Sequence, residues 1–235
     1  MVTTFVHEQT QILVVEDDIE VAELVCEQLE AAGFPTFWAQ RGEDAISILE
    51  NQRAGLVLLD LSLPDVDGFD LLYKVRAQSP IPIIVISGYS QNTDKVRAFE
   101  AGADDFISKP YASSILIARI KALIRRVGIP TNVETRLSVG PIEIDITRRQ
   151  TFLRGKKLHL TPTEYSILVT LMRNTGQVVS HNELMQNVWG DQYGADFSVL
   201  RVNISRLRTK LGDSSRQPRL ILTIPGGGYT LTTGR

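Results

Sequence analysis

Four groups in this chain have side chains suited to joint work on a charged ligand: the carboxylate of Asp60, the carboxylates of Glu16-Asp17-Asp18, the hydroxyl of Ser87 and the ammonium of Lys109. Each follows an apolar run. Gly55-Leu56-Val57-Leu58-Leu59 leads into Asp60, Gln11-Ile12-Leu13-Val14-Val15 into Glu16, Ile83-Ile84-Val85-Ile86 into Ser87, and the shorter Phe106-Ile107 into Ser108-Lys109-Pro110. Runs of this kind read as strands buried on both faces, and open α/β sheets bind ligands beyond the carboxyl ends of such strands. One edge then collects carboxylates, a hydroxyl and an ammonium. Acids crowded there repel one another, and a hard divalent cation such as Mg²⁺ stabilises the cluster. Two plainer readings stand beside this one: Asp17 and Asp18 as caps of the next helix, and Lys109 as a solvated loop lysine.

The elements that must position these groups alternate five times. Helical apolar spacing over Ile19–Ala32 stops at Gly33, Thr36–Ala39 is strand-like, and further helices are expected at about 43–51, 68–77, 93–101 and 112–127. Such βα alternation predicts a flavodoxin-like, doubly wound parallel sheet of five strands in the order 2-1-3-4-5. That order sets strands 1 and 3, and hence Asp17 and Asp60, side by side.

A length of 235 residues suits two domains. The formal net charge of −2 conceals a division: residues 1–127 carry 11 Lys and Arg against 19 Asp and Glu, whereas residues 128–235 carry 14 against 8. An acidic half and a basic half imply different partners, with nucleic acid expected only for the second. No run approaches the ~18 apolar residues of a membrane span, so a cytoplasmic protein without membrane contact is expected. Cys26 is the single cysteine, and the three histidines lack metal-ligand spacing. The expected boundaries are an N-terminal extension 1–10, a first domain 11–127, a Gly- and Pro-containing linker 128–136 and a second domain 137–235.

In the second half short strands come first, around Val139, 142–146, 150–153 and 157–160, with a turn at Arg154-Gly155-Lys156. Thr161-Pro162-Thr163-Glu164 is a capping box with proline at the first helical position, and Ser180 to Glu183 caps a second helix ending near Trp189. A third helix runs from about Asp196 to Gly212. Its buried stripe is Leu200, Ile204, Leu207 and Leu211, which leaves Val199, Val202, Arg206 and Thr209 opposite and Arg201, Asn203, Ser205, Arg208 and Lys210 on the flanks. A basic face of this kind suits a major groove, though it also fits a plain surface helix with excess positive charge. The following hairpin, Arg219–Ile224 and Tyr229–Leu231 around Pro225-Gly226-Gly227-Gly228, favours the groove.

Val15-Glu16-Asp17, Asp60, Leu63-Pro64-Asp65-Val66-Asp67-Gly68-Phe69, Ser87 and Ala101 to Tyr111 together resemble the receiver domain of two-component response regulators. Leu160-Thr161-Pro162-Thr163-Glu164-Tyr165, Val188-Trp189-Gly190 and Gly228-Tyr229 resemble the winged helix of the OmpR/PhoB branch, and Leu200-Arg201-Val202-Asn203 with the Pro225-Gly226 wing leans faintly towards its KdpE-like members. The resemblance spans almost the whole chain.

It implies a transcription regulator whose Asp60 takes a phosphoryl group from a cognate sensor histidine kinase. Mg²⁺ would be held by Glu16, Asp17, Asp60 and the backbone carbonyl of Ser62. Lys109 would pair with the phosphoryl oxygens, Ser87 would turn inward, and Phe106 would occupy the place of the signalling aromatic. Phosphorylation would form a homodimer through Lys95, Glu100, Asp104, Asp105 and Arg119, with Ile115 replacing the usual glutamate. Promoter double-stranded DNA would meet Val199, Val202 and Arg206 at its bases and Trp189, Asn203 and Arg208 at its phosphates, with Arg201, Thr223 and Gly227 also in contact. The loop 190–195 would touch RNA polymerase. Two rivals are an atypical regulator that binds DNA without phosphorylation and a hydrolase using Asp60 as covalent nucleophile.

Overall fold

The computed structural model describes residues 10–51, 54–88, 92–127, 135–190, 197–214 and 216–234, arranged in two compact units, residues 1–125 and 126–235. The first unit begins with β1 (Ile12–Val15), α1 (Ile19–Ala31), β2 (Thr36–Ala39), α2 (Gly42–Asn51) and β3 (Leu56–Asp60). It continues with α3 (Gly68–Gln78), β4 (Ile83–Ser87), α4 (Asn92–Ala101), β5 (Asp105–Ser108) and α5 (Ser113–Val127). The strands form one parallel sheet in the order β2-β1-β3-β4-β5, as the alternation predicts.

Period two along each strand builds the core. Ile12 and Val14, Leu56 and Leu58, Ile84 and Ile86, and Ile107 share one sheet face with Val25 and Leu29 of α1 and Leu116, Ile120, Leu123 and Ile124 of α5. Fully burying each such side chain contributes roughly 1.5–3 kcal/mol. Leu13, Leu59 and Val85, on the alternate positions, are equally buried.

Helix ends are set by local chemistry. The Asp18 carboxylate accepts from Glu20 N and Val21 N at 2.9 and 3.2 Å, and Gly33 follows α1 in the left-handed region at φ 87°. Asp67 caps α3 through Phe69 N at 2.7 Å. Gly68 is required where the chain turns back on the end of β3: its N–H donates to Leu61 O at 3.2 Å, and a Cβ there would strike the Leu61 backbone.

The second unit opens with an antiparallel sheet of β6 (Arg136–Val139), β7 (Ile142–Asp145), β8 (Gln150–Leu153) and β9 (Lys156–Leu158). Then come α6 (Pro162–Arg173), the two-residue β10 (Val179–Ser180), α7 (His181–Trp189), α8 (Ser198–Leu211), β11 (Ile221–Ile224) and β12 (Gly228–Leu231). The last two strands form the expected hairpin. β10, absent from the sequence reading, pairs with β12 and completes a sheet in the order β10-β12-β11. Gly228 makes that pairing possible, because a Cβ at its φ of 148° would run into Val179 O. The extension 1–9, linker residues 128–134 and loop residues 191–195 lie outside the described residues, as does Asp196, the expected start of α8.

Candidate functional site

The strand order reverses direction between β1 and β3, which is where a doubly wound sheet opens a crevice. The expected groups meet there. Asp60, the last residue of β3, is 5% exposed, and Glu16, just past β1, is 6% exposed. Lys109, beyond β5, reaches both: its Nζ donates to Asp60 Oδ2 at 2.5 Å and to Glu16 Oε2 at 2.7 Å. Asp60 Oδ1 accepts from Ser62 N at 2.8 Å. Asp17, the next residue, is half-buried, and Asp18, not Asp17, is the helix cap.

The electrostatics follow from burial. Desolvation raises the Glu16 carboxyl above the ordinary glutamate range, and the neighbouring Asp60 charge adds to this, while Lys109 partly offsets it. For Lys109 burial acts against the charged form, but the hydrogen bonds it donates to Asp60 and Glu16 prevail and hold the ammonium above its usual range. One cation thus serves two buried acids. The Lys109–Pro110 bond is cis, and Lys109 N donates to Ser87 O at 2.8 Å, tying β5 to the end of β4. Ser87 itself is fully buried.

The loop after Asp60 is anchored from outside. Asp65 accepts from Gly42 N and Glu43 N at 3.0 and 3.1 Å, capping α2 across 23 and 22 residues. The Gly42 hydrogen bond is the largest of the influences that hold the Asp65 carboxyl below the ordinary carboxylate range. A depressed folded-state pKa contributes stability at neutral pH that is lost as pH falls through it. The thermal midpoint of the wild type should therefore exceed that of Asp65→Asn most at pH 7, with the gap narrowing towards about pH 3. A gap that stays constant across that range would exclude this linkage.

Several expected surface residues are interior. Asp104 is fully buried, where its Oδ2 takes Arg76 Nη2 at 2.5 Å and Ile83 N at 3.1 Å; it fastens α3 to β4 and offers nothing to a partner. Asp105 is 1% exposed and bonded within the chain to Arg119 Nη1 at 2.9 Å. Lys95, Glu100, Ile115 and Arg119 do reach the surface, Ile115 at 43% exposure. Phe106 is buried at 4%, its ring already packed inside.

The same correction applies to α8. Its buried stripe is wider than the Leu and Ile positions: Val199, Asn203 and Arg208 are interior too. Val199 is therefore closed to bases, and Asn203 and Arg208 to phosphates. Asn203 Nδ2 donates back to Val199 O at 2.9 Å. Arg208 joins the helix to the wing, donating from Nε and Nη2 to Ile221 O at 3.1 and 2.6 Å and from Nη2 to Thr223 Oγ1 at 2.8 Å. Trp189 is 3% exposed. Arg206 turns its Nε to 3.5 Å from Glu164 Oε1. Outward lie Arg201, Ser205 and Thr209, with Val202, Arg206 and Lys210 half-exposed beside them, and on the wing Thr223 is exposed and Gly227 half-exposed.

Glu164 carries a role that sequence reading missed. It closes the capping box, with Thr161 N donating to Oε2 at 2.9 Å, and it also receives Lys210 Nζ at 2.6 Å while completely buried. The start of α6 is thereby bound to two cations of α8.

Comparisons with known proteins agree with this division. Residues 12–121 match the family "Response regulator receiver domain" and residues 155–231 match "Transcriptional regulatory protein, C terminal". The chain is 37% identical over 226 residues to the probable transcriptional regulator ycf27 of Cyanophora paradoxa, covering 93% of this chain and 95% of that protein. It is 36% identical over 219 residues to the DNA-binding response regulator MtrA of Mycolicibacterium smegmatis, again covering 93% and 95%. Among solved structures, a mutant form of RitR superposes with a TM-score of 0.79 at 26% identity, covering 96% of this chain and all of that one. The Thermotoga maritima OmpR/PhoB homologue DrrB gives 0.52 at 32% identity, covering 95% and 99%. The acid crevice at the β1/β3 edge and the winged second unit are thus the two halves of one architecture, and the chain belongs to the OmpR/PhoB family of two-component response regulators, a receiver followed by a transcriptional-regulatory domain.

Proposed function

We propose that in the cytoplasm Asp60 accepts a phosphoryl group from a cognate sensor histidine kinase, and that the modified receiver forms a homodimer which binds promoter double-stranded DNA more tightly. The observation that carries this reading is the Lys109 ammonium bridging Asp60 and Glu16. An Asp60 oxygen forms the new bond to phosphorus as the bond to the donor's nitrogen breaks, and Lys109 then exchanges a carboxylate oxygen for a phosphoryl oxygen. Ser87, one residue beyond the partner of Asp60 in the β3/β4 register, would turn inward to follow the new charge. Loss of the acyl phosphate to water resets the switch without turnover of an external substrate.

The donor set fits Mg²⁺. Glu16, Asp17 and Asp60 with Lys109 leave an excess of two negative charges, which a divalent cation balances. Among the described residues no three or more His, Cys, Asp or Glu side chains are grouped so as to hold a metal ion, and Mg²⁺ needs no such group, since it keeps several waters and binds through one or two carboxylates together with phosphate oxygens. One or two of the carboxylates of Glu16, Asp17 and Asp60, with the Ser62 carbonyl, would hold it, and when bound it would supply charge neutralisation to the transferring group.

For DNA, the outward row Arg201, Ser205 and Thr209 with Val202 is the surface suited to a major groove, and Thr223 and Gly227 of the wing to the backbone. Dimerisation rests on Lys95, Glu100, Ile115 and Arg119, where an apolar Ile115 replaces a charge. RNA polymerase is the expected partner of the loop 190–195. Light scattering with Mg²⁺ and beryllofluoride should raise the mass of the wild type from monomer to dimer and leave Asp60→Asn a monomer. A wild-type mass that never changes would refute the dimer step.

A further inference from the structure

The carboxylates of Glu16 and Asp17 sit just past the end of β1, where the strand ladder stops supporting the chain. The last rung is Glu16 N donating to Ala39 O at 3.1 Å. Beyond it the carbonyls of Glu16 and Asp17 have no strand partner, yet neither is left to water alone. Trp38 Nε1 donates to Glu16 O at 2.9 Å, and Gln40 Nε2 donates to Asp17 O at 3.1 Å. Both donors come from the edge strand side of the sheet, two residues apart and so on one face of the chain. The next residue, Asp18, is fixed by its own cap on α1. Glu16 is thus held at its N–H, its carbonyl and, through Lys109, its carboxylate, Asp17 at its carbonyl by Gln40, and Asp18 by its two cap bonds.

We propose that Trp38 and Gln40 are positioning residues for the cation at the crevice, acting through the backbone of Glu16 and Asp17. This rests on the Mg²⁺ reading above. Neither side chain touches the cation. Lys109 already holds the Glu16 carboxylate, so a free turn would let Asp17 swing away from it by mutual repulsion, and that swing would have to be reversed on binding. Ties on the two carbonyls remove that freedom before the cation arrives. The cost of reorganisation is then already met by folding, which is how supporting hydrogen bonds raise metal affinity.

The two ties differ in weight. The Trp38 bond is partly shielded, with the indole 39% exposed, whereas the Gln40 bond lies in solvent and competes with water. Trp38 should matter more. Its exposure also makes substitution compatible with folding, because the ring lies outside the buried core of the unit.

The test is Mg²⁺ affinity by titration calorimetry on the full chain, for wild type, Trp38→Phe, Gln40→Met, the double variant and Asp17→Asn. Trp38→Phe keeps a ring and removes the donor; Gln40→Met keeps the length and removes the amide. The expected weakening is ~3- to 10-fold for Trp38→Phe, about 2-fold for Gln40→Met and the larger of these or more for the double variant, the range that one or two modest hydrogen bonds can produce. The Mg²⁺-free thermal midpoint serves as the structural control. It should move little in the single variants, so that lost affinity cannot be ascribed to lost fold. Trp38→Phe and Gln40→Met binding Mg²⁺ as the wild type does, while Asp17→Asn fails, would overturn the positioning role and leave the cation site standing. A wild type that binds no Mg²⁺, or an Asp17→Asn variant that binds it equally well, would overturn the cation reading and this proposal with it.

Discussion

Asp60→Asn should take up no phosphoryl group from a small acyl-phosphate donor in Mg²⁺, whereas the wild type should gain one per chain by intact-protein mass spectrometry. An amide has neither the charge nor the nucleophilic oxygen that attack on phosphorus needs. The substitution should nevertheless fold, since the amide oxygen can still accept from Ser62 N and Lys109 retains its bond to Glu16. Removing one of two buried acids also relieves the repulsion that helps to raise Glu16, so the thermal midpoint should not fall. A functional residue whose loss spares stability is expected where charge is concentrated for chemistry. Uptake retained at the wild-type level in Asp60→Asn would remove Asp60 as the acceptor.

The second large effect lies in the other unit. Glu164→Ala should destabilise it by about 3 kcal/mol, because truncating one member of a buried ionic group leaves its partners uncompensated. The value belongs at the lower end of the usual range, since the side chains of Arg206 and Lys210 are 20% and 30% exposed and can turn to water. Loss of the capping box adds to the effect at the first turn of α6. Glu164→Gln, which can still cap but carries no charge, should fall between the two. Urea denaturation gives the magnitude, and hydrogen exchange should place the loss in α6 and α8. A change under about 1 kcal/mol would mean that the two cations contribute little beyond their own solvation.

The receiver was legible because its signals are local. Four apolar residues followed by one acid announce both a buried strand and the group at its end, and the alternation with helices fixes the topology that brings Glu16, Asp60 and Lys109 together. The interior polar residues were illegible for the opposite reason. Arg208 reads as a surface arginine until its acceptor, Ile221 O, is known, and Asp104 reads as one member of a charged face until Arg76 arrives from 28 residues away. The apolar stripe of α8 was drawn from Leu and Ile alone. That helix also buries Asn203, bonded back to Val199 O, and Arg208, bonded to the wing. A two-residue strand such as β10 leaves no periodicity to find. The tie from Trp38 to Glu16 O, across 22 residues, has no counterpart in either local sequence.

The state of Asp60 is the proposed control on the affinity of the winged domain for DNA. The direct measurement is the dissociation constant of the full chain for a duplex selected from a random pool, at one salt concentration, with and without Mg²⁺ and beryllofluoride, for wild type and Asp60→Asn. Coupling of ~1–3 kcal/mol predicts tightening of about 5- to 150-fold in the wild type and none in Asp60→Asn. Equal affinities in all four conditions would contradict the account and identify a regulator that binds DNA independently of its receiver chemistry.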